Sequence, residues 1–251
     1  MARTIGLVAI IAIAATLLPA AARAQDGSSN LVFFEGTGQT LGGVFYDGWL
    51  IQGGLNEAGA PISPAVQQGD HWAQWFEHTR LEVGKPALDQ AVGEDAQPAP
   101  IGMAIAETFG LARWHPAFQP IRGTAADGVR VFPNGHTLVN AFKAHWEADG
   151  EEARLGAPIS EEIYLAGKAY QFFERGALSW TAESGVESVP LGYVDAALHG
   201  NLQLGAARPE GVPIYGRGGG SGRWIDINLS NYTITAYEGS APVLSSVIVD
   251  G

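Results

Sequence analysis

The sequence predicts an α+β chain: two helix-turn-strand repeats packed as one module, followed by the first strands of a β domain. Three observations predict this. The chain repeats itself at a fixed offset of 97 residues, which places Gly38 over Gly135. Each copy carries aromatic and aliphatic residues at helical spacing ahead of a turn and a β-rich run. The last stretch, residues 223–251, alternates at the two-residue period of a strand with one buried face.

The repeat is continuous over a long span. At the same offset Thr40 falls on Thr137, Leu41 on Leu138, Phe45 on Phe142, Trp49 on Trp146 and Gly53 on Gly150. Gly59-Ala-Pro-Ile-Ser63 falls on Gly156-Ala-Pro-Ile-Ser160, and Gln74, Phe76, Glu77 and Leu81 fall on Gln171, Phe173, Glu174 and Leu178. The copies cover about 35–83 and 132–180. Internal self-similarity of this kind marks units that stack to bury a face none can bury alone.

Within each copy the plan is readable. Leu41, Phe45 and Trp49, and likewise Leu138, Phe142 and Trp146, are four apart and would share one helix face. Thr40 and Thr137 stand where an N-cap is useful. Gly53-Gly54 and Gly150 would end the helices. The Gly-Ala-Pro-Ile-Ser string is a turn, because its glycine tolerates φ > 0, its proline fixes φ and its serine can bond nearby backbone. Residues 73–82 and 170–180 read as strands.

Between the copies, 93–100 is a loop, Met103 to Leu111 a helix candidate, and Trp114-His115-Pro116 the start of an irregular segment. Ser188-Val-Pro-Leu-Gly-Tyr follows the second copy much as Pro100-Ile-Gly-Met follows the first. The stretch from Arg208 to Arg217 would be an extended arm, and Gly218 to Gly222 a flexible linker. The final stretch would hold strands around 224–229, 233–237 and 243–249, with turns at Ser230-Asn231 and at Glu238-Gly239-Ser240.

Composition narrows the class. Apolar residues are 46% and charged residues 16% of the chain, which is globular rather than disordered. The formal net charge of -12 excludes a nucleic-acid partner, because phosphate binding needs a Lys/Arg surface. Residues 1–24 read as a secretory signal: Arg3 in a positive start, an apolar run from Ile5 to Leu18, Pro19, then Ala22-Arg23-Ala24 as an A-x-A cleavage site before Gln25. An uncleaved anchor is the alternative; otherwise the membrane is met only in transit. With no cysteine anywhere, neither lipidation of a thiol nor a disulfide is open to the chain.

Two resemblances attach to these residues. Leu155-Gly-Ala-Pro-Ile-Ser160 with Tyr170-Gln-Phe-Phe-Glu-Arg-Gly-Ala-Leu-Ser-Trp180 resembles the LGFP repeat of secreted bacterial proteins. That resemblance implies association with the cell wall. The first copy departs from it, with Ala58-Gly59 for Leu-Gly and His78-Thr79-Arg80 for the Arg-Gly-hydrophobic step. Trp224-Ile-Asp-Ile-Asn-Leu-Ser230, Thr233-Ile-Thr-Ala-Tyr-Glu-Gly239 and Val247-Ile-Val-Asp-Gly251 resemble the opening of the YkuD-type L,D-transpeptidase domain. Tyr232 and Asp250 depart from that pattern, where Gln and Ser or Thr are usual. The resemblance implies a β-sandwich-like catalytic domain, of which residues 223–251 would be a truncated N-terminal part. It also implies a secreted protein of wall or periplasm that joins peptidoglycan stem peptides in 3→3 crosslinks through a cysteine thiolate.

The family's His-Gly-Thr and Ser-Gly-Cys motifs have no counterpart here. The six histidines (His71, His78, His115, His136, His145, His199) all precede the β stretch. No catalytic, metal or cofactor residue is therefore assigned, and the chain as it stands is expected to be inactive. The expected partner is peptidoglycan, through its glycan or its stem peptides; the alternative is a non-catalytic wall-binding or spacer module. Of the aromatics that could stack on sugar, Trp49 and Trp146 are expected in the core. Trp72 and Trp75 have opposite strand parity, so one of them should be exposed. Trp180 and Phe172 complete the candidates.

Overall fold

The computed structural model describes residues 31–84, 95–111, 113–121, 127–148 and 151–216, with the backbone of 223–228, 233–238 and 241–247. The signal reading of 1–24, the helix end at Gly150 and the linker at 218–222 lie outside the described residues. No described helix is long and apolar enough to cross a membrane.

The fold is α+β, built from short helices and antiparallel sheets. The first copy begins with the hairpin β1 (Val32–Phe34) and β2 (Gln39–Leu41), followed by α1 (Gly43–Ile51) and the single turn α2 (Gly54–Glu57). Then come β3 (Val66–Gln68), β4 (His71–Trp75), β5 (Arg80–Gly84) and β6 (Gln97–Pro98), one four-stranded meander. Between the copies lies α3 (Gly102–Thr108), then a 3₁₀ turn, Pro116–Phe118. The second copy runs β7 (Arg130–Val131), β8 (Thr137–Leu138), α4 (Asn140–Ala148) and α5 (Glu151–Arg154). It ends in a second meander of β9 (Ile163–Leu165), β10 (Lys168–Phe172), β11 (Ala177–Thr181) and β12 (Gly185–Ser188). Helix α6 (Leu191–Leu198) and an extended arm to Gly216 follow.

Equivalent residues make equivalent bonds in the two copies. The indole N–H of Trp49 donates to the Gly59 carbonyl at 2.7 Å, and that of Trp146 to the Gly156 carbonyl at 3.2 Å. Tryptophan suits this position because it fills the core while its one polar atom finds a turn carbonyl. The Gln74 amide donates to the carbonyls of Thr40 and Ser63, and the Gln171 amide to those of Thr137 and Ser160. The Ser63 hydroxyl accepts the Trp75 N–H at 2.9 Å, and the Ser160 hydroxyl the Phe172 N–H at 3.0 Å. Gly59 and Gly156, at φ 81° and 74°, take the left-handed conformation the turn requires.

The structure corrects three local expectations. Thr40 and Thr137 are not helix caps: both lie in strands, and α1 starts after Gly42 with no side-chain cap. Leu41 and Leu138 end those strands, so only Phe45, Trp49, Phe142 and Trp146 ride the helices. Tertiary pairing of Phe33 with Thr40 outcompetes the capping preference. Residues 73–82 and 170–180 are each two strands, because the chain reverses where the Phe76 N–H donates to the Thr79 carbonyl and the Phe173 N–H to the Gly176 carbonyl.

The helices that follow each copy pack reciprocally. Helix α3, after the first copy, packs Ile101 and Ile105 against Ile163, Phe172 and Ala177 of the second. Helix α6, after the second copy, packs Ala196 against Ile62, Ala73 and Trp75 of the first. The N–H of Gly102 donates to the Glu174 carbonyl at 3.1 Å, and that of Gly192 to the Glu77 carbonyl at 3.0 Å. The arm beyond α6 then returns along the first copy. The Phe33 N–H donates to the Pro213 carbonyl and the Tyr215 N–H to the Phe33 carbonyl, and Tyr215 stacks on Phe34 with ring centroids 4.5 Å apart.

The last stretch forms a three-stranded antiparallel meander: β13 (Arg223–Asn228), β14 (Thr233–Glu238) and β15 (Ala241–Val247). The register pairs Trp224 with Tyr237 and Ile227 with Ile234, and shifts between Ala236 and Tyr237. The third strand starts two residues before the expected 243, while the expected turns and the residues after Val247 lie outside the described residues.

Candidate functional site

Two polar clusters and one aromatic row are the chemically distinctive places among the described residues. The first cluster lies where the two copies meet. Glu57 at the end of α2 aligns with Arg154 at the end of α5 under the 97-residue offset, and the two side chains pair at 3.2 Å. Arg154 also donates from Nε to Glu151 at 2.6 Å, and from Nη1 to the Ser188 hydroxyl at 3.1 Å. The Ser188 hydroxyl donates to Glu57 at 3.1 Å. His145 of α4 stands 3.1 Å from the Glu151 carboxylate.

Glu151 is completely buried. Burial disfavours its charge, yet hydrogen bonds from His145 and Arg154 outweigh this and hold its carboxyl below the ordinary glutamate range. Glu57, His145 and Glu151 could between them reach one cation. The guanidinium of Arg154 already bridges the two carboxylates, so the cluster is closed by its own cation. It works as a salt-linked seam between the copies. Sequence reading missed it because Glu57 and Ser188 are far along the chain from His145, Glu151 and Arg154, and only the offset aligns Glu57 with Arg154.

The second cluster fastens α6 to the first sheet. Asp195 is 2% exposed. It accepts from the Trp75 indole and from Arg80, both at 2.7 Å. Arg80 in turn donates to Glu82 at 2.8 Å, and its guanidinium lies 5.6 Å from the Trp75 ring centre. His199 closes the outer side, with Nδ1 2.8 Å from the Asp195 carbonyl. The second copy has nothing of this kind. Phe172 and Ala177 replace Trp75 and Arg80 at the 97-residue offset. The glycine through which each docked helix meets the opposite copy's turn sets that pair's offset, 192 − 102 = 90, so Asp195 aligns with Ile105. The same docking is therefore achieved once by a paired charge and once by apolar packing.

This contrast makes a prediction. Asp195→Ala leaves Arg80 and the Trp75 N–H without their buried acceptor and should cost about 3 kcal/mol. The triple change Trp75→Phe, Arg80→Ala, Asp195→Ile installs the apolar solution of the second copy and should recover most of that loss, read by urea unfolding. A triple variant no more stable than Asp195→Ala would show that the charges have a role that packing cannot replace.

The other histidines are also structural partners. His78 Nδ1 lies 2.7 Å from the Glu57 carbonyl, His136 Nδ1 3.0 Å from Glu161, and the His115 ring accepts the Ala117 N–H. His71 lies 3.5 Å from Glu82.

Of the aromatic candidates, Trp49, Trp75, Trp146 and Phe172 are buried. Trp72, on the opposite face of β4 from the buried Trp75, is half-buried against the core of the first copy rather than exposed. Trp180 is exposed at the end of β11. Sequence reading did not single out Tyr164, which is 72% exposed on β9, and Trp114 is exposed in the segment after α3.

No protein-family model matches this chain, and no characterised protein is similar to it.

Proposed function

We propose that residues 31–216 form one wall-directed binding module, made of two LGFP-like repeats, in a secreted bacterial peptidoglycan L,D-transpeptidase. Residues 223–251 open the catalytic domain in this reading. The observation that carries it is the meander β13-β14-β15, whose first two strands coincide with the first two stretches that resemble the start of a YkuD-type domain; the third stretch, beyond Val247, lies outside the described residues. It follows a duplicated unit whose second copy resembles a wall-associated repeat.

The described polar clusters serve the fold. Asp195, Arg80 and Glu151 are buried and paired with one another or with neighbouring side chains. The chain has no cysteine, so it has no thiolate to attack a stem peptide. It should therefore form no 3→3 crosslinks.

The test is co-sedimentation of the chain with purified peptidoglycan sacculi. Retention in the pellet, with no new crosslinked muropeptide, is the expected result. A chain that stays in the supernatant overturns the binding role and leaves only a spacer. The transpeptidase half of the reading is checked in the encoding DNA, where a Ser-Gly-Cys motif in frame beyond Gly251 is expected and an in-frame stop with no such motif overturns it.

A further inference from the structure

The fold does not need the aromatic row on the second meander. Tyr164 of β9 and Trp180 of β11 both stand opposite Ala169 of β10 in the ladder. Directly opposed residues of an antiparallel sheet share one face. The two rings therefore flank Ala169 on the same face, two strands apart, a separation of about 9–10 Å between their backbones. Ala169 is buried in the core of the second copy, in one cluster with Phe142 and Trp146 of α4, so the two rings stand at the margin of that core. Both rings are exposed, Tyr164 strongly so. The Tyr164 hydroxyl donates to the Glu162 carboxylate at 3.3 Å, which places an acceptor beside the row.

The first copy shows what folding alone requires at these places. The same offset gives Gln67 for Tyr164, Trp72 for Ala169 and Val83 for Trp180. There the large ring sits in the middle, half-buried, with no aromatic on either side. The two meanders keep the same register, Trp72 with Val83 and Ala169 with Trp180. The aromatic pair is thus an addition that the first copy's meander, in the same register, does without.

We infer that Tyr164 and Trp180 form a glycan-binding strip, and that it takes a neutral β-1,4-linked N-acetylhexosamine chain. A disaccharide unit of such a chain is about as long as the two-strand separation of the Tyr164 and Trp180 backbones, so each ring is within reach of an alternate sugar. Glu162 beside the strip accepts from a sugar hydroxyl or amide. That carboxylate, with a chain net charge of -12, disfavours polyanionic occupants such as phosphate polymers or anionic lipid surfaces. The inference rests on the wall-binding reading above and deepens it, by assigning recognition to the glycan rather than to the stem peptides and to the second copy rather than the first.

The experiment uses the chain from Gln25 to Gly251 and N-acetylglucosamine tetramer as the probe, with binding followed by calorimetry. Tyr164→Ala and Trp180→Ala are compared with Trp114→Ala, an exposed aromatic outside the row, and circular dichroism melting shows that each variant is folded. Each strip variant should bind at least about tenfold more weakly, with Trp114→Ala unchanged. Equal affinity in all variants overturns the strip. A chain that pellets with sacculi but ignores the tetramer overturns the glycan assignment alone. A chain that binds the tetramer through these two rings but does not pellet with sacculi keeps the strip and overturns the wall reading. A chain that does neither overturns both.

Discussion

Gly102→Ala and Gly192→Ala should each unfold the protein or come close to it. A methyl group on Gly102 would sit 1.8 Å from the Phe173 carbonyl oxygen, and one on Gly192 would sit 1.7 Å from that of Phe76. Both obstacles are backbone atoms in a turn that is itself hydrogen-bonded, so no side chain can swing away. The helix must instead lift off the sheet. That would break the N–H bonds to Glu174 and Glu77 and open the apolar contacts of Ile105 and Ala196. The cost should be about 3 kcal/mol or more for either change, at the upper end of overpacking effects. Gly36→Ala is the matched control, because a methyl group there meets nothing within 4 Å; it should shift stability by less than about 0.5 kcal/mol. The comparison is read by thermal unfolding. If Gly102→Ala melted with the control, the close approach of helix and turn would be wrong.

Glu151 carries the second large effect, and its sign depends on pH. Its pKa is depressed in the folded state, against its burial, by His145 and Arg154. A depressed carboxyl pKa stabilises the fold above the unfolded pKa, and this contribution is lost as pH falls through the folded value. The charge of Glu151 therefore supports the seam at neutral pH and fails in acid. Glu151→Gln keeps the shape but leaves Arg154 with Glu57 and Ser188 alone, and should cost about 3 kcal/mol at pH 7. As pH falls toward the depressed folded pKa, the stabilisation by the wild-type charge is progressively lost, so the difference between wild type and variant should shrink. Unfolding measured at pH 7 and at pH 3 decides it. An equal loss at both would show that Glu151 acts through its volume and not through its charge.

Much of the architecture was legible before any coordinates, and for local reasons. The Gly-Ala-Pro-Ile-Ser turn needs a left-handed glycine and a fixed proline, and both are written in the string. Phe45 with Trp49, and Phe142 with Trp146, show a helix face because four residues make about one turn. The strands of the closing stretch follow from its two-residue alternation. The errors were local too. Thr40 and Thr137 have the chemistry of caps, but strand pairing claims their backbone. The runs 73–82 and 170–180 are uniformly β-rich, so nothing in their composition marked the reversals at Phe76 and Phe173.

The candidate sites were less legible. Strand parity led to the expectation that one of Trp72 and Trp75 would be exposed, but Trp75 is buried and Trp72 half-buried against the first copy's core. Parity could not foresee that Trp75 would give its N–H to Asp195, 120 residues away. Tyr164 looked like one tyrosine among seven until the ladder placed it in line with Trp180.

By itself the sequence determined the duplication, the turns, the rings that fill each copy and the strands at the end, because each is specified by spacing within a few residues or by a constant offset. Only the tertiary structure decided that α3 docks on the second copy and α6 on the first, that Arg154 closes the seam against Glu57 and Glu151, and that two exposed rings share one sheet face. Those pairings join residues far apart in the chain. They are selected by which buried surfaces and charges satisfy one another once the chain has folded, and no local pattern encodes that choice.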